Sequence, residues 1–239
     1  MHRQTTARMA GFLFLTATAA GVLSVALLGP LDTLHSPRSI ADNAHRTSTG
    51  ALMVLVMTIA IAMIPPTLFP VLKKHGEALA LGYVAARIIE VVLLLPAAVG
   101  PLMMVAMSTT RSAAGTPDDA ARLDTVRMLT QTYDLWGHAS SLAFCLSALL
   151  LNHLLYRSRL VPRWMAGWAL VAVVPYLADA FLVMFGLLAP SSAFHAVLDF
   201  PLALNEMVLA VWLLVKGFRA PSSALTAHAT ARRSGIDHA

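Results

Sequence analysis

Long apolar stretches separated by short polar segments dominate the chain. A helix needs about 20 predominantly apolar residues to cross the hydrocarbon core of a bilayer, and six stretches are close to that length. The pattern therefore predicts an all-α, polytopic membrane protein in which six transmembrane helices form a bundle. The predicted spans are Met9–Leu28, Gly50–Leu72, Ala78–Met107, Leu135–Tyr156, Trp164–Leu188 and Phe200–Val215, the last of which is short, with an alternative start nearer Phe194.

The first apolar stretch has two interpretations. His2, Arg3 and Arg8 precede it, and Ala17-Thr18-Ala19 resembles a cleavage motif, as in a secretory signal. The core of such a signal usually has 7–15 apolar residues, however, and this stretch has about 20. We therefore predict that it is retained as a transmembrane helix.

Two local signals refine the helix boundaries. Pro65, Pro66 and Pro70 predict that the second helix bends or ends, because proline removes a backbone donor and clashes with the preceding turn. Thr116-Pro117-Asp118-Asp119 predicts a helix start, with a capping threonine, a proline at the first position and acids near the positive end of the dipole. That helix either lies on the outer membrane surface or extends the fourth span outward.

Composition and charge distribution agree with a membrane location. The chain is 58% hydrophobic and 12% charged, about half the charged fraction of a soluble protein, which excludes a soluble enzyme or a disordered protein. With the N-terminus in the cytoplasm, eleven lysine and arginine residues fall on the cytoplasmic side and five on the other. This asymmetry predicts that both termini are cytoplasmic. The expected partner is the lipid bilayer, and the basic excess gives no reason to expect nucleic acid.

The predicted domain organisation is simple. Residues 1–218 form the six-helix transmembrane domain. Residues 219–239 are polar, rich in small residues and without apolar periodicity, so they are predicted to be a disordered cytoplasmic tail.

Three stretches resemble a known family. Arg87-Ile88-Ile89-Glu90 is similar to an Arg-x-x-Glu motif in a third helix, and Tyr156–Arg163 to a Tyr-Arg-Ser-x-x-x-Pro-Arg turn. Asn205-Glu206 through Gly217 is similar to a final helix with Glu followed by Trp-Leu-Leu-x-Lys-Gly, although Asn205 stands where a glycine is expected. Together they resemble the bacterial domain of unknown function 4386. The resemblance implies a six-helix integral protein of the bacterial plasma membrane, and it supplies no activity.

Several motifs of soluble enzymes are missing. The sequence has no phosphate-binding loop, no Gly-x-Gly-x-x-Gly, no His-Glu-x-x-His and no Gly-x-Ser-x-Gly. A single cysteine, Cys145, excludes an internal disulfide and a cysteine-rich metal site. We therefore expect no cofactor, and a protein without enzymatic activity is favoured.

Four ionisable residues fall inside the predicted spans: Arg87, Glu90, Asp179 and Glu206. Each costs about 2.5–3.5 kcal/mol on insertion scales, so such residues usually mark a pathway or site. Arg87 and Glu90 share a helix face because they are three residues apart. We expect Arg87 to contact Glu90 and, across helices, Glu206 or Asp179. The group either holds helices together or binds a proton, a cation or a small polar ligand.

Two further pairs have the spacing of metal ligands. Asp134 and His138 are four residues apart, as are His195 and Asp199. Histidine and aspartate at this spacing on a helix can chelate one ion, and two such pairs could meet. The alternative is that these side chains simply stay hydrated at the membrane surface.

The sequence is compatible with three functions. The favoured one is a small transporter, sensor or ligand-binding module with an intramembrane polar site. The second is an intramembrane metal-dependent hydrolase that uses His138, His195 and nearby acids. The third is a structural or partner subunit in which the buried charges serve packing alone.

Overall fold

The computed structural model describes residues 3–29, 42–109, 117–189 and 192–219. Apart from one short 3-10 turn, the ordered elements within these ranges are α-helices, and six of them are long and apolar enough to cross a membrane. The fold is therefore that of a multi-pass membrane protein. The helices are α1 (Arg3–Leu28), α2 (Ala44–Leu72), α3 (Glu77–Thr109), α4 (Pro117–Ser158), α5 (Arg163–Met184) and α6 (Ala193–Val215).

The fifth helix is shorter than predicted, and the sixth takes the earlier of its two predicted starts. α5 ends at Met184 rather than Leu188 because Gly186 adopts a left-handed φ of 70°. The backbone N–H of Leu187 then donates to the carbonyl of Leu182 at 2.8 Å, which closes the helix end. α6 begins at Ala193, and the Ser192 side chain caps it by accepting from the backbone N–H of His195 at 3.2 Å.

The prolines of the second span do not end it. α2 runs through Pro65, Pro66 and Pro70 to Leu72, so of the two predicted outcomes, a bend or an end, the helix does not end at these prolines. Transmembrane helices tolerate proline because side-chain hydroxyls and neighbouring helices satisfy backbone groups around it. Next to this segment, the Thr67 hydroxyl donates to the carbonyl of Met63 at 2.8 Å.

The predicted helix start near Thr116 is confirmed. α4 begins at Pro117 and continues without interruption to Ser158, a length of 42 residues. Its membrane-spanning part is Leu135–Ser158. Of the two interpretations of the acidic segment, the structure therefore has the one in which it extends the fourth span.

The six helices close a ring. Each packs mainly against its neighbours in the sequence, and α1 also packs against α6. The α1–α6 contact depends on a close approach of two backbones, because a Cβ added to Gly11 would lie 2.6 Å from the carbonyl oxygen of Ala210. Ala7 and Ala10 are fully buried beside it. Small residues at such a crossing are typical of membrane helices.

The start of α1 and the end of α6 lie at one end of the ring, which we call the terminal face. There the Gln4 side chain donates to the carbonyl of Phe218 at 3.1 Å, and the backbone N–H of Arg219 donates to the carbonyl of Leu160 at 2.9 Å. The opposite end, where α1 ends and α6 begins, is called the distal face. The predicted disordered tail beyond Arg219 lies outside the described residues.

The two halves of the ring differ in packing. The largest apolar core fills the half near the terminal face and includes Leu72, Tyr83, Leu154, Leu160 and Leu213. Nearer the distal face, the buried apolar residues form smaller separate clusters. The space between these clusters contains the candidate site.

Candidate functional site

A cavity of about 600 Å³ lies inside the ring, and all six helices contribute to its wall. Much of the wall is apolar, with Phe14 of α1, Ile61 of α2 and Leu94 of α3 among its residues. Polar groups also line it. They are Thr18, Arg87, Glu90, Ser140, Ser141, Tyr176, Asp199 and Glu206.

Arg87 forms ion pairs with two carboxylates at one end of this cavity. Its Nη1 donates to both oxygens of Glu90, at 2.9 and 3.1 Å. Its Nη2 donates to Glu206 Oε1 at 3.4 Å. Arg87 is 2% exposed and Glu90 is 3% exposed, whereas the Glu206 side chain is 24% exposed. The sequence-based expectation that Arg87 contacts Glu90 and an acid on another helix is therefore met, with Glu206 as the second acid.

Helix geometry explains why these residues meet. Arg87 and Glu90 are three residues apart on α3, so both face the same neighbours. Arg87 is ten residues after Glu77, about 15 Å along α3 from the terminal face. Glu206 is nine residues before Val215, about 14 Å along α6 from the same face. The two residues therefore lie at one depth.

Aromatic rings and a serine complete the surroundings of the ion pairs. The Arg87 guanidinium carbon lies 5.4 Å from the ring centre of Phe144 and 5.8 Å from that of Tyr83, both within cation–π range. The Ser147 hydroxyl donates to Glu90 Oε2 at 3.3 Å. Arg87 Nε is buried and has no hydrogen-bond acceptor among the described residues.

Carboxylates outnumber the arginine around the cavity. Arg87 carries the one basic charge of its wall, while Glu90, Glu206 and Asp199 are all acidic. With all four groups ionised, the cavity would hold two uncompensated negative charges. Charges in such an environment are paired, protonated or balanced by a bound ion. The arrangement therefore favours protons or a cation over an anion.

A second polar cluster lies nearer the distal face. His195 Nδ1 is 2.7 Å from Asp179 Oδ2, and His195 Nε2 is 3.6 Å from Asp199 Oδ2. Asp179 is 16 residues after Arg163 on α5, and Asp199 is 16 residues before Val215 on α6. Both are thus about 24 Å along their helices from the terminal face, roughly two helical turns beyond Arg87.

The structure separates residues that the sequence grouped together. Asp179 contacts His195 and belongs to the second cluster. Arg87 forms its ion pairs with Glu90 and Glu206. Among the predicted metal ligands, it brings His195 and Asp199 together with Asp179. The side chain of Asp134 lies outside the described part of the structure.

His138 lines a smaller cavity of about 330 Å³. This space shares Gly21, Met57 and Ser140 with the larger cavity, so the two are adjacent. Its other lining residues include Ser24, close to the distal end of α1. The hollow part of the ring therefore extends from the buried ion pairs toward the distal face.

Sequence reasoning missed several residues of the cavity wall. Ser140, Ser141, Phe144 and Tyr176 line it, and Ser147 contacts Glu90. A usable signal was present, because Ser140, Phe144 and Ser147 recur at helical spacing within an apolar span. Polar residues on one face of a membrane helix usually face the protein interior.

Comparison with known proteins identified one family. The family model described as domain of unknown function (DUF4386) matches residues 9–217. The matched range includes the Arg87 ion pairs with Glu90 and Glu206 and the whole of the second cluster. Searches of curated proteins and of solved structures found no match.

Proposed function

The chain belongs to the DUF4386 family, and we propose that it is a multi-pass protein of the bacterial plasma membrane whose central cavity binds a small cation. Protons and small organic ammonium compounds are the ligand classes that suit the site. Binding would serve as the first step of transport or sensing.

The excess of buried carboxylates carries this proposal. A packing role alone would be satisfied by one arginine and one partner, as in Arg87 with Glu90. Glu206 makes only a longer contact with Arg87, and Asp199 reaches the same cavity from a greater distance along α6. Glu206 therefore remains available to neutralise a ligand, and Asp199, which also contacts His195, adds negative charge at the edge of the cavity. A buried negative charge without such a partner would be strongly unfavourable.

The wall of the cavity favours a cation with an apolar body. Phe14, Phe144 and Tyr176 line it, and aromatic faces attract ammonium groups. Cavities of about 300–1,000 Å³ with an apolar wall and few polar groups are typical of small-molecule sites. At about 600 Å³, the cavity can hold an organic molecule together with water.

Access from the distal face fits the packing of the ring. The terminal half is filled by the main apolar core, and the smaller cavity lies on the distal side of the larger one. With both termini cytoplasmic, as the positive-inside rule favours, the distal face is on the outer side of the membrane. We propose that the ligand enters from there.

Binding of tetraethylammonium to the purified full-length protein tests the proposal. The wild-type protein in detergent should show a higher thermal unfolding temperature with tetraethylammonium, because a ligand that binds the folded state stabilises it. An alkyl sulfonate of similar size should give no such increase. Glu206→Gln should weaken the tetraethylammonium effect by about tenfold in apparent affinity, the equivalent of about 1.4 kcal/mol.

Glu77→Gln is the matched control, because Glu77 is an exposed acid at the terminal end of α3. This variant should respond as the wild type does. Equal responses of Glu206→Gln and the wild type would contradict the proposal. So would stabilisation by the sulfonate alone. Either result would favour a structural protein in which the charges serve packing.

A further inference from the structure

We propose that Asp179, His195 and Asp199 form a binding site for a divalent transition-metal ion between α5 and α6. The site is separate from the Arg87 ion pairs, and neither Asp179 nor His195 lines the central cavity. Its ligands would be one imidazole nitrogen and two carboxylate oxygens.

The geometry of the three side chains brings suitable atoms together. One candidate ligand atom from each lies within 4.8 Å of the other two. Donor atoms at 2.0–2.2 Å from a shared tetrahedral ion are about 3.4 Å apart, so an inward shift of about 1 Å would complete the site. His195 and Asp199 are one turn apart on α6, and the Ser192 cap fixes the turn that carries His195.

Unsatisfied oxygens at this position point to a missing ligand. Asp179 is 3% exposed, and its Oδ1 has no hydrogen-bond partner in the described structure. Asp199 Oδ1 is also buried and also has no hydrogen-bond partner in the described structure. His195 contacts the Oδ2 atoms of the two aspartates, at 2.7 and 3.6 Å, and so leaves both Oδ1 atoms without a partner. Buried polar atoms normally have partners, and each exception requires an explanation.

Charge balance also favours a divalent ion. Two aspartates and a neutral histidine carry two negative charges, which one divalent cation cancels. Imidazole with carboxylates suits zinc, manganese or iron(II), whereas magnesium prefers oxygen ligands in near-octahedral geometry. We therefore infer a preference for Zn²⁺ over Mg²⁺.

An ion at this site would join two helices at the edge of the ligand cavity. Asp179 lies on α5, and Asp199 on α6 both contacts His195 and lines the cavity. Three protein ligands leave a fourth tetrahedral position free. Metal binding would thus fix the α5–α6 contact and orient the Asp199 carboxylate beside the cavity.

Metal content and metal-dependent stability of the full-length protein test this site. After treatment with a chelator, the wild type in detergent should bind one equivalent of Zn²⁺ that His195→Ala lacks, and Zn²⁺ should raise its unfolding temperature. Mg²⁺ should not raise it. His153→Ala is the control, because His153 is exposed on α4 near the terminal face, and this variant should keep both the equivalent and the thermal effect.

Asp199→Asn provides a second variant, since its side chain is 27% exposed and tolerates change more readily than Asp179. It should also lose the zinc equivalent. Equal zinc content in the wild type and the folded variants would overturn the proposal. Should neither variant fold, Co²⁺ titration of the wild type decides: visible absorption typical of a tetrahedral site supports the assignment, and its absence overturns it. The two proposals share Asp199, but the tetraethylammonium test uses Glu206, which is not among the proposed metal ligands, so loss of zinc binding and loss of cation binding are distinguished.

Discussion

Arg87 holds the buried polar layer together. Its guanidinium reaches Glu90 on its own helix, Glu206 on α6 and the ring of Phe144 on α4. Removing an ionised group from water is expensive, and such a group is stable only when its partners replace the lost hydration. Arg87 therefore links three helices inside the ring.

Replacing Arg87 by methionine should destabilise the protein by about 3 kcal/mol. The substitution keeps an apolar stem but leaves Glu90 buried without its partner, and breaking a buried pair typically costs 3–5 kcal/mol. Denaturation in detergent measures the loss. Arg157→Met, at an exposed position near the end of α4, should change stability little. Similar losses in both variants would argue against a central role for Arg87.

The two glutamates that contact Arg87 should differ in their contribution to stability. Glu90→Gln should cost about 2 kcal/mol, because it removes two short charged hydrogen bonds at a buried position. Glu206→Gln should cost less than about 1 kcal/mol, since its single contact is 3.4 Å long and partly exposed. Unfolding measurements compare the stability lost in the two variants. A larger loss for Glu206→Gln than for Glu90→Gln would contradict the geometry.

The sequence was sufficient to predict the Arg87–Glu90 pair but not the place of Asp179. Spacing on one helix determines which residues share a face, so the pair followed from the i, i+3 relation. The pattern of the spans offered Glu206 and Asp179 as alternative partners on other helices. It gave no rotation of α5 about its axis, and Asp179 therefore could not be assigned to His195 before the helices were placed.

At the scale of helices, the contact between α1 and α6 closes the ring. Gly11 lies against the backbone of Ala210, with Ala7 and Ala10 fully buried nearby. Lipid tails are as apolar as the side chains, so close packing rather than burial stabilises such a contact. The absence of a side chain at Gly11 is thus a condition for the closed ring.

Gly11→Val should destabilise the protein by about 2 kcal/mol through overpacking. The added atoms would press on the carbonyl of Ala210 and on Leu214, which are part of the helix backbone or packed against it. Ala19→Val is the control on the same helix, because Ala19 is exposed. Thermal unfolding of both variants measures the difference. An equally stable Gly11→Val would show that α1 and α6 do not approach this closely.

Helix positions were predicted well because apolar length is a strong signal, whereas helix ends depend on local conformation. The end of α5 at Met184 follows from the left-handed backbone of Gly186. Because the residues after Met184 are also apolar, the hydrophobic pattern did not predict this end. Pro65 and Pro66 were predicted to bend or end the second helix, and the helix does not end at them. Rules for helices in water overstate the effect of proline where other groups satisfy the backbone.

The whole molecule is asymmetric along the ring axis. Its main core lies near the terminal face, and the cavities lie between the ion pairs and the distal face. No sequence pattern predicts such a cavity, because its wall combines residues from all six helices and depends on their order around the ring. Span counting predicts only that an even number of helices places both termini on one side; in the structure, Gln4 at the start of α1 contacts Phe218 just after α6.

Topology reporters should place the terminal face in the cytoplasm. A C-terminal fusion should be active with a reporter that functions in the cytoplasm and inactive with one that requires export. A fusion in the segment between α3 and α4 should give the opposite pattern, because that segment joins the distal ends of two helices. An exported reporter that is active at the C-terminus would contradict the proposed orientation.

Infrared spectroscopy tests most directly whether the cavity neutralises its excess carboxylates with protons or a cation. At neutral pH, without added cations, the purified protein should show a protonated carboxyl band that Glu206→Gln reduces and Glu77→Gln leaves unchanged. Tetraethylammonium should diminish that band by replacing the proton. A spectrum in which the wild type and Glu206→Gln have the same protonated carboxyl band, unaffected by tetraethylammonium, would contradict the account.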